Sequence, residues 1–201
     1  MAQVKFVYFD LGGVMFYWQP ALIKIAEITG ADIHTVRKIH EKVDERACLG
    51  ELSVQQIWDE YQKELSFDGS QINFGELWVN SFVPIPEVHD LARHLLYLKY
   101  EIGILSNYFK ELYPKSKGKC LPDLNYAAEI ISADYGLVKP NLEIYEIATK
   151  KSGVNKSEIF FIDDNLENIY SSIRYGWEGY VFDNADPKKS VIEIKNILNI
   201  N

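Results

Sequence analysis

From about residue 85 onward, short continuous apolar runs alternate with stretches of helical periodicity, and few folds can satisfy that pattern. The periodicity predicts helices near 86–99, 141–151, 165–175 and 187–198. Strands are predicted near 101–105, 126–132, 158–163 and 179–182. An earlier apolar run, Val4 to Phe9, supplies one more strand. Strands that are apolar on both sides must be covered on both sides, and helices between them make parallel connections. The expected fold is therefore α/β, a three-layer core built on a parallel sheet.

Residues 17–84 break the pattern. No convincing strand occurs there, and local signals mark helices instead. Pro20 opens one that carries Leu22, Ile25, Ala26 and Ile28 and stops at Gly30. Asp32 caps a second with Val36, Ile39 and Val43 on one side. Ser53 with Gln56 forms a capping box ahead of Ile57, Trp58, Tyr61 and Leu65. Phe74, Leu77 and Trp78 suggest a fourth. Trp58 and Trp78 are assigned to the core of this small bundle rather than to ligand stacking. An all-helical insertion directly after the first strand sits over the sheet as a lid. The division is 1–16 and 85–201 for the core, 17–84 for the insertion.

Composition narrows the function classes. With 201 residues, 47% hydrophobic and 25% charged, the chain has the makings of a globular protein. A formal charge of −8 argues against nucleic acid, which is bound through concentrated positive charge. The one basic loop, Lys115-Ser116-Lys117-Gly118-Lys119, is expected to be a solvated turn. No apolar run approaches the roughly 20 residues that span a bilayer, and no leader-like segment stands at the start. A cytoplasmic location without membrane association is the default. Cys48 and Cys120 lie far apart and outside metal-ligand spacing, so they are expected to be reduced thiols. Oligomeric state leaves no signal.

The chemistry concentrates at strand ends. Asp10 closes the first strand and precedes Leu11-Gly12-Gly13; Ser106-Asn107 follow Ile104-Leu105; Lys139 follows the 126–132 strand; Asp163-Asp164 close Phe160-Phe161-Ile162. Each has an ordinary alternative as a turn or capping residue. Jointly they are the parts needed for phosphoryl transfer, because the carboxyl ends of parallel strands open on one crevice. A carboxylate can attack phosphorus, two more can hold Mg²⁺, a serine and backbone N–H groups can hold phosphoryl oxygens, and a lysine can offset the repulsion between anions.

The segments Phe-Asp-Leu-Gly-Gly-Val (9–14), Ile-Leu-Ser-Asn (104–107), Val-Lys-Pro (138–140) and Phe-Ile-Asp-Asp-Asn (161–165) together resemble the four motifs of the haloacid dehalogenase-like (HAD) hydrolase superfamily. The resemblance covers essentially the whole chain, and Gly50-Glu51-Leu52-Ser53 resembles a turn common in that family's helical cap. The nearest branch contains sugar-phosphate phosphatases and the N-terminal phosphatase domain of soluble epoxide hydrolases. The resemblance implies a Rossmann-like core with a helical cap. It also implies Asp10 as nucleophile and metal ligand, Ser106 and Asn107 as phosphoryl-binding residues, and Lys139 as the stabiliser of negative charge. Asp164 becomes the main remaining Mg²⁺ ligand, Asp163 a direct or water-mediated one, and the Gly12 carbonyl another.

One departure stands out. The second residue after the nucleophile is Asp in a typical phosphatase of the family, where it serves as general acid and base; here it is Gly12. Loss of such an acid costs on the order of 10² to 10⁴ in rate, so a slow phosphatase, a good leaving group or an acid from elsewhere is expected. In the cap, Asp32, His34, His40, Asp44 and Glu45 are candidates. The function implied is an Mg-dependent phosphatase acting on a small phosphorylated metabolite of the sugar-phosphate or nucleotide class through an aspartyl-phosphate. The alternatives are a non-catalytic phospholigand or protein binder and, ranked below it, a 2-haloacid dehalogenase, which has no use for the metal. Phe16, Tyr17 and Trp18 suit a sugar or base face, but packing of the cap hinge is favoured for them.

Overall fold

Four consecutive side chains with no exposed surface mark the centre of the molecule: Phe6, Val7, Tyr8 and Phe9. The computed structural model describes residues 3–200, so residues 1, 2 and 201 of the core assignment lie outside it. In chain order the elements are β1 (Phe6–Phe9), β2 (Phe16–Tyr17), α1 (Pro20–Thr29), α2 (Ile33–Cys48), α3 (Val54–Leu65), α4 (Phe74–Asn80) and β3 (Val83–Pro84). There follow α5 (Pro86–Tyr97), β4 (Glu101–Ser106), α6 (Tyr113–Ser116), β5 (Ala128–Ile131), α7 (Leu142–Ser152), β6 (Ile159–Asp163), α8 (Leu166–Tyr175), β7 (Glu178–Val181) and α9 (Pro187–Leu198).

The main sheet runs β5-β4-β1-β6-β7, with every neighbouring pair parallel. Alternation along β1 splits its side chains between two packed layers. Val7 and Phe9 join Ile102, Ile104, Phe160 and Ile162 against α5 and α9 through Leu91, Leu95, Ile194 and Leu198. Phe6 and Tyr8 join Leu105, Ile130 and Phe161 against Ile144, Tyr145 and Ala148 of α7 and Ile169 of α8. This is the three-layer, Rossmann-like α/β arrangement expected from the alternation.

Helices α1 to α4 lie between β1 and α5 in sequence and form their own aromatic core. Trp58 stacks on Phe74 at 5.1 Å and meets Tyr61 at 6.2 Å, and its indole N–H donates to the Gly69 carbonyl. The capping signals act as expected. Asp32 accepts from the backbone N–H groups of His34 and Thr35, and Ser53 with Gln56 makes a reciprocal box. Each such cap contributes about 1 kcal/mol. Gly30 ends α1 at φ 70°, in the left-handed region.

Two features escape the sequence signals. The first is the antiparallel ribbon of β2 and β3, two residue pairs at the neck between the helical block and the sheet. The second is α6, one turn in the loop after β4. Both are too short for any periodicity. The basic loop is not simply solvated either: Lys115 and Lys119 bind Glu76 of α4, and Lys117 binds Glu129 of β5. Cys48 and Cys120 are both free and buried.

Gly103 shows how tightly the sheet is packed. A Cβ there would lie 2.7 Å from the Ala128 carbonyl oxygen and 2.7 Å from the Tyr8 ring. Gly103→Ala is therefore expected to destabilise the fold by about 1–3 kcal/mol, the usual cost of overpacking, measured by urea denaturation.

Candidate active site

The sheet brings all four strand-end motifs to one edge. Asp10, one residue past β1, anchors itself by donating its N–H to the Ile162 carbonyl of β6. Ser106 and Asp163 are the last residues of β4 and β6, and Lys139 sits in the loop between β5 and α7. Lys139 is the hub. Its ammonium donates to Asp163 Oδ2 at 2.5 Å and to the Leu105 carbonyl at 3.0 Å, and lies 3.0 Å from Asp10 Oδ1.

Asn107 fixes the lysine's backbone from both sides. Its Nδ2 donates to the Lys139 carbonyl at 3.0 Å and its Oδ1 accepts from the Lys139 N–H at 2.7 Å. The Asn107 side chain is thus committed to holding Lys139. Asn168, one turn into α8, donates to both oxygens of Asp163, and Asp163 Oδ1 also accepts the Asn165 N–H. Asp163 has no exposed surface and its oxygens are saturated by these partners. Asn168 carries a sequence signal only in retrospect: it stands five residues beyond Asp163, just past the cap of α8.

Burial of so many like charges shifts their titration. Burial pushes the Asp10 carboxyl up to about 6; Lys139 and the Ser106 hydroxyl pull it down, and Asp163 adds to the rise. Burial, with Asp10 and Asp163 nearby, pushes Asp164 to about 7. Burial pulls the Lys139 ammonium down, but the attraction of Asp10 and Asp163 outweighs it, and the net shift is upward. One positive charge faces three carboxylates. Asp10 Oδ1 is buried, and the Lys139 ammonium 3.0 Å away is its one compensating charge among the described residues.

That deficit fits a hard cation. Asp10, Asp163 and Asp164 each place a carboxylate oxygen within 4.8 Å of the others, an all-oxygen set of the kind Mg²⁺ takes. Asp164 also accepts from Asn184, a residue no sequence signal marks. A Cβ on Gly13, at φ 78°, would overlap the Asp164 carboxylate, so glycine at this turn leaves the acid its room.

A cavity of about 260 Å³ opens above these groups. Asp10, Gly12, Asn107, Lys139, Asp164, Asn165 and Asn168 form its charged end, while Ser106 is 1% exposed and lies outside its lining. The opposite walls are Phe16, Trp18, Trp78, Phe82, Tyr108 and Phe109, with His40 and Asp44. The expected packing roles thus divide. Trp58 is core, whereas Phe16, Trp18 and Trp78 face the cavity; Tyr17 turns away and donates to the Asn184 carbonyl. Asp32, His34 and Glu45 are exposed and do not line the cavity. Trp18 explains Gly12: a Cβ at residue 12 would stand 3.0 Å from the indole Cδ1, so the indole occupies the space a side chain there would enter.

Comparison with known proteins agrees with this architecture. A sesquiterpene phosphatase of Aspergillus oryzae, astK, is 25% identical over 182 residues, 87% of this chain and 88% of that one. The HAD family enzyme BT-2542 of Bacteroides thetaiotaomicron superposes with a TM-score of 0.80 at 19% identity, covering 95% of this chain and 99% of that one. Its wild-type complex with magnesium and inorganic phosphate superposes at 0.73, with 21% identity over 90% and 95% of the two chains. An L-2-haloacid dehalogenase of Xanthobacter autotrophicus shares the fold at 0.67, with 19% identity over 88% and 76%. The family model for haloacid dehalogenase-like hydrolases matches residues 4–174, and the chain belongs to that family.

Proposed function

We propose that this protein is a divalent-cation-dependent phosphatase in which Asp10 attacks the phosphorus of a small phosphomonoester and is transiently phosphorylated. The observation that carries the reading is the cluster itself: Asp10 lines the cavity among three carboxylates that face one lysine, an excess of negative charge that calls for a cation. A nucleophile must keep its lone pairs free, and a dianionic substrate must meet positive charge. Asp10, Asp164 and the Gly12 carbonyl would hold Mg²⁺, with Asp163 joining directly or through water. When bound, the metal supplies Lewis-acid neutralisation of the transferring group.

The remaining roles fall to the chain itself. Lys139 offsets the repulsion between nucleophile and substrate, and Asp163 with Asn107 holds it in place. Ser106 is 1% exposed and outside the cavity lining, so the phosphoryl oxygens fall to the backbone just past β4, where Asn107 lines the cavity. Residues 17–84 act as the cap that encloses the leaving group, over a core of 1–16 and 85–201. The acidic cluster favours phosphatase over dehalogenase chemistry, and the Asp10 carboxylate at the charged end of the cavity favours catalysis over simple binding.

The cavity also bears on the substrate. Its only cationic side chain among the described residues is Lys139, unless His40 is protonated, so it suits one phosphate and not two. Six aromatic rings line the far walls. They favour a compact, largely apolar alcohol over the sugar or nucleotide suggested by the sequence resemblance, in keeping with the sesquiterpene phosphatase relative.

Phosphate release from p-nitrophenyl phosphate and from alkyl, aryl, sugar and nucleoside monophosphates is expected to require Mg²⁺ and to be abolished by EDTA. Asp10→Asn is expected to reduce it by at least about 10³-fold. Release that persists in EDTA would overturn the divalent-cation dependence, and release unaffected by Asp10→Asn would overturn Asp10 as the nucleophile. Lys139→Met is expected to destabilise the protein by about 3–5 kcal/mol, because it strands two buried carboxylates. Adding Asp163→Asn should recover part of that loss in thermal unfolding.

A further inference from the structure

The missing side chain at residue 12 leaves the leaving group without a proton donor, and the structure offers one across the cavity. Of the five cap residues able to supply a proton, only His40 and Asp44 line the cavity. They stand one turn apart on α2, with His40 Nε2 3.5 Å from Asp44 Oδ1. His40 is wedged between Trp18 and Trp78, ring centres 5.1 and 5.2 Å away. The order in space is therefore Gly12, the Trp18 indole that fills the place of a residue-12 side chain, then His40 and Asp44.

The two differ in what they can present. The His40 side chain is 9% exposed and its Nδ1 is buried without a partner, so the ring is held by packing. The Asp44 side chain is 49% exposed and borders the cavity. Its Oδ1 faces His40 and accepts a weak 3.9 Å contact from the Cys48 thiol, while Oδ2 has no protein partner. We propose that Asp44, positioned by His40, is the general acid that protonates the leaving alcohol in place of the carboxylate absent at residue 12. This rests on the phosphatase reading above.

Asp10 forms a bond to phosphorus as the phosphorus–oxygen bond to the alcohol breaks, and the Asp44 proton passes to the departing oxygen. The resulting Asp44 carboxylate then takes a proton from the water that attacks the aspartyl-phosphate, which releases inorganic phosphate and restores both residues. Charge around the pair supports that cycle. Burial raises the Asp44 carboxyl and lowers the His40 imidazole, while the attraction between the two opposes both shifts. The charges that act on the pair are those of the exposed Glu41 and Glu45 on α2, with the Cys48 thiol of α2 and the Tyr61 hydroxyl of α3 near Asp44, and Asp10 and Lys139 acting in turn on Cys48.

The test is the dependence on leaving group. An alkyl phosphate needs a proton donor, whereas p-nitrophenolate departs largely without one. With Mg²⁺ present, Asp44→Asn is expected to lower kcat/KM for an alkyl monophosphate on the order of 10² to 10⁴-fold, and to lower it at least about tenfold less for p-nitrophenyl phosphate. His40→Gln should show the same asymmetry at smaller size, and the exposed neighbour Glu45→Gln should show none. Equal losses on both substrates in Asp44→Asn, or no loss on either, would overturn the assignment while leaving the phosphatase standing. No Mg²⁺-dependent release from the wild type on any substrate would overturn both.

Discussion

The site is organised around one buried cation. Lys139 sits between Asp10 and Asp163 with 4% of its surface exposed, and removing an ammonium and two carboxylates from water is costly unless each finds partners. The chain meets that cost unevenly. Asp163 is saturated, receiving Lys139, Asn168 and the Asn165 N–H, while Asp10 has the Lys139 ion pair and the Ser106 hydroxyl beside it and also borders the cavity. The asymmetry separates a carboxylate that holds the lysine from one free to react. The parallel sheet makes this possible, since β1 and β6 are adjacent and end side by side.

The strand ends were legible because a parallel sheet covered on both faces forces continuous apolar runs, so a polar residue at the end of one is conspicuous. Asp10, Ser106, Lys139 and Asp163-Asp164 could be picked out that way, and the helices through Pro20, Asp32 and the Ser53-Gln56 box. Other parts of the site left no local trace. That Asn107 spends its side chain on Lys139, that Asn184 reaches Asp164, and that Trp18 lies over Gly12 are all consequences of contacts between segments distant in sequence. Trp58 and Trp78 make the point together. Both fall on helices with similar aromatic patterns, yet one is sealed in the helical core and the other also borders the cavity.

The helical block is tied to the sheet domain at several points. The Ser132 hydroxyl donates to the Cys48 carbonyl at 2.6 Å, the Val54 N–H donates to Glu111, and Glu76 bridges Lys115 and Lys119. Gly50 packs so closely on Ala133 that a Cβ would meet its carbonyl oxygen at 2.5 Å. These contacts hold α2, and with it His40 and Asp44, at a defined place over the strand ends. The two-pair ribbon of β2 and β3 carries the covalent connections, and its Phe16 is also a wall of the cavity.

The packing of Trp18 on Gly12 has a consequence for how such a site can change over time. A carboxylate placed at residue 12 would bring its Cβ to 3.0 Å from the indole, so the Trp18 ring has to give way by a few tenths of an ångström to admit it. Shrinking Trp18 first would free that space but remove one wall of the cavity and the ring against which His40 rests. Residues 12 and 18 are therefore coupled: a side chain at residue 12 and the position of the Trp18 ring cannot change independently.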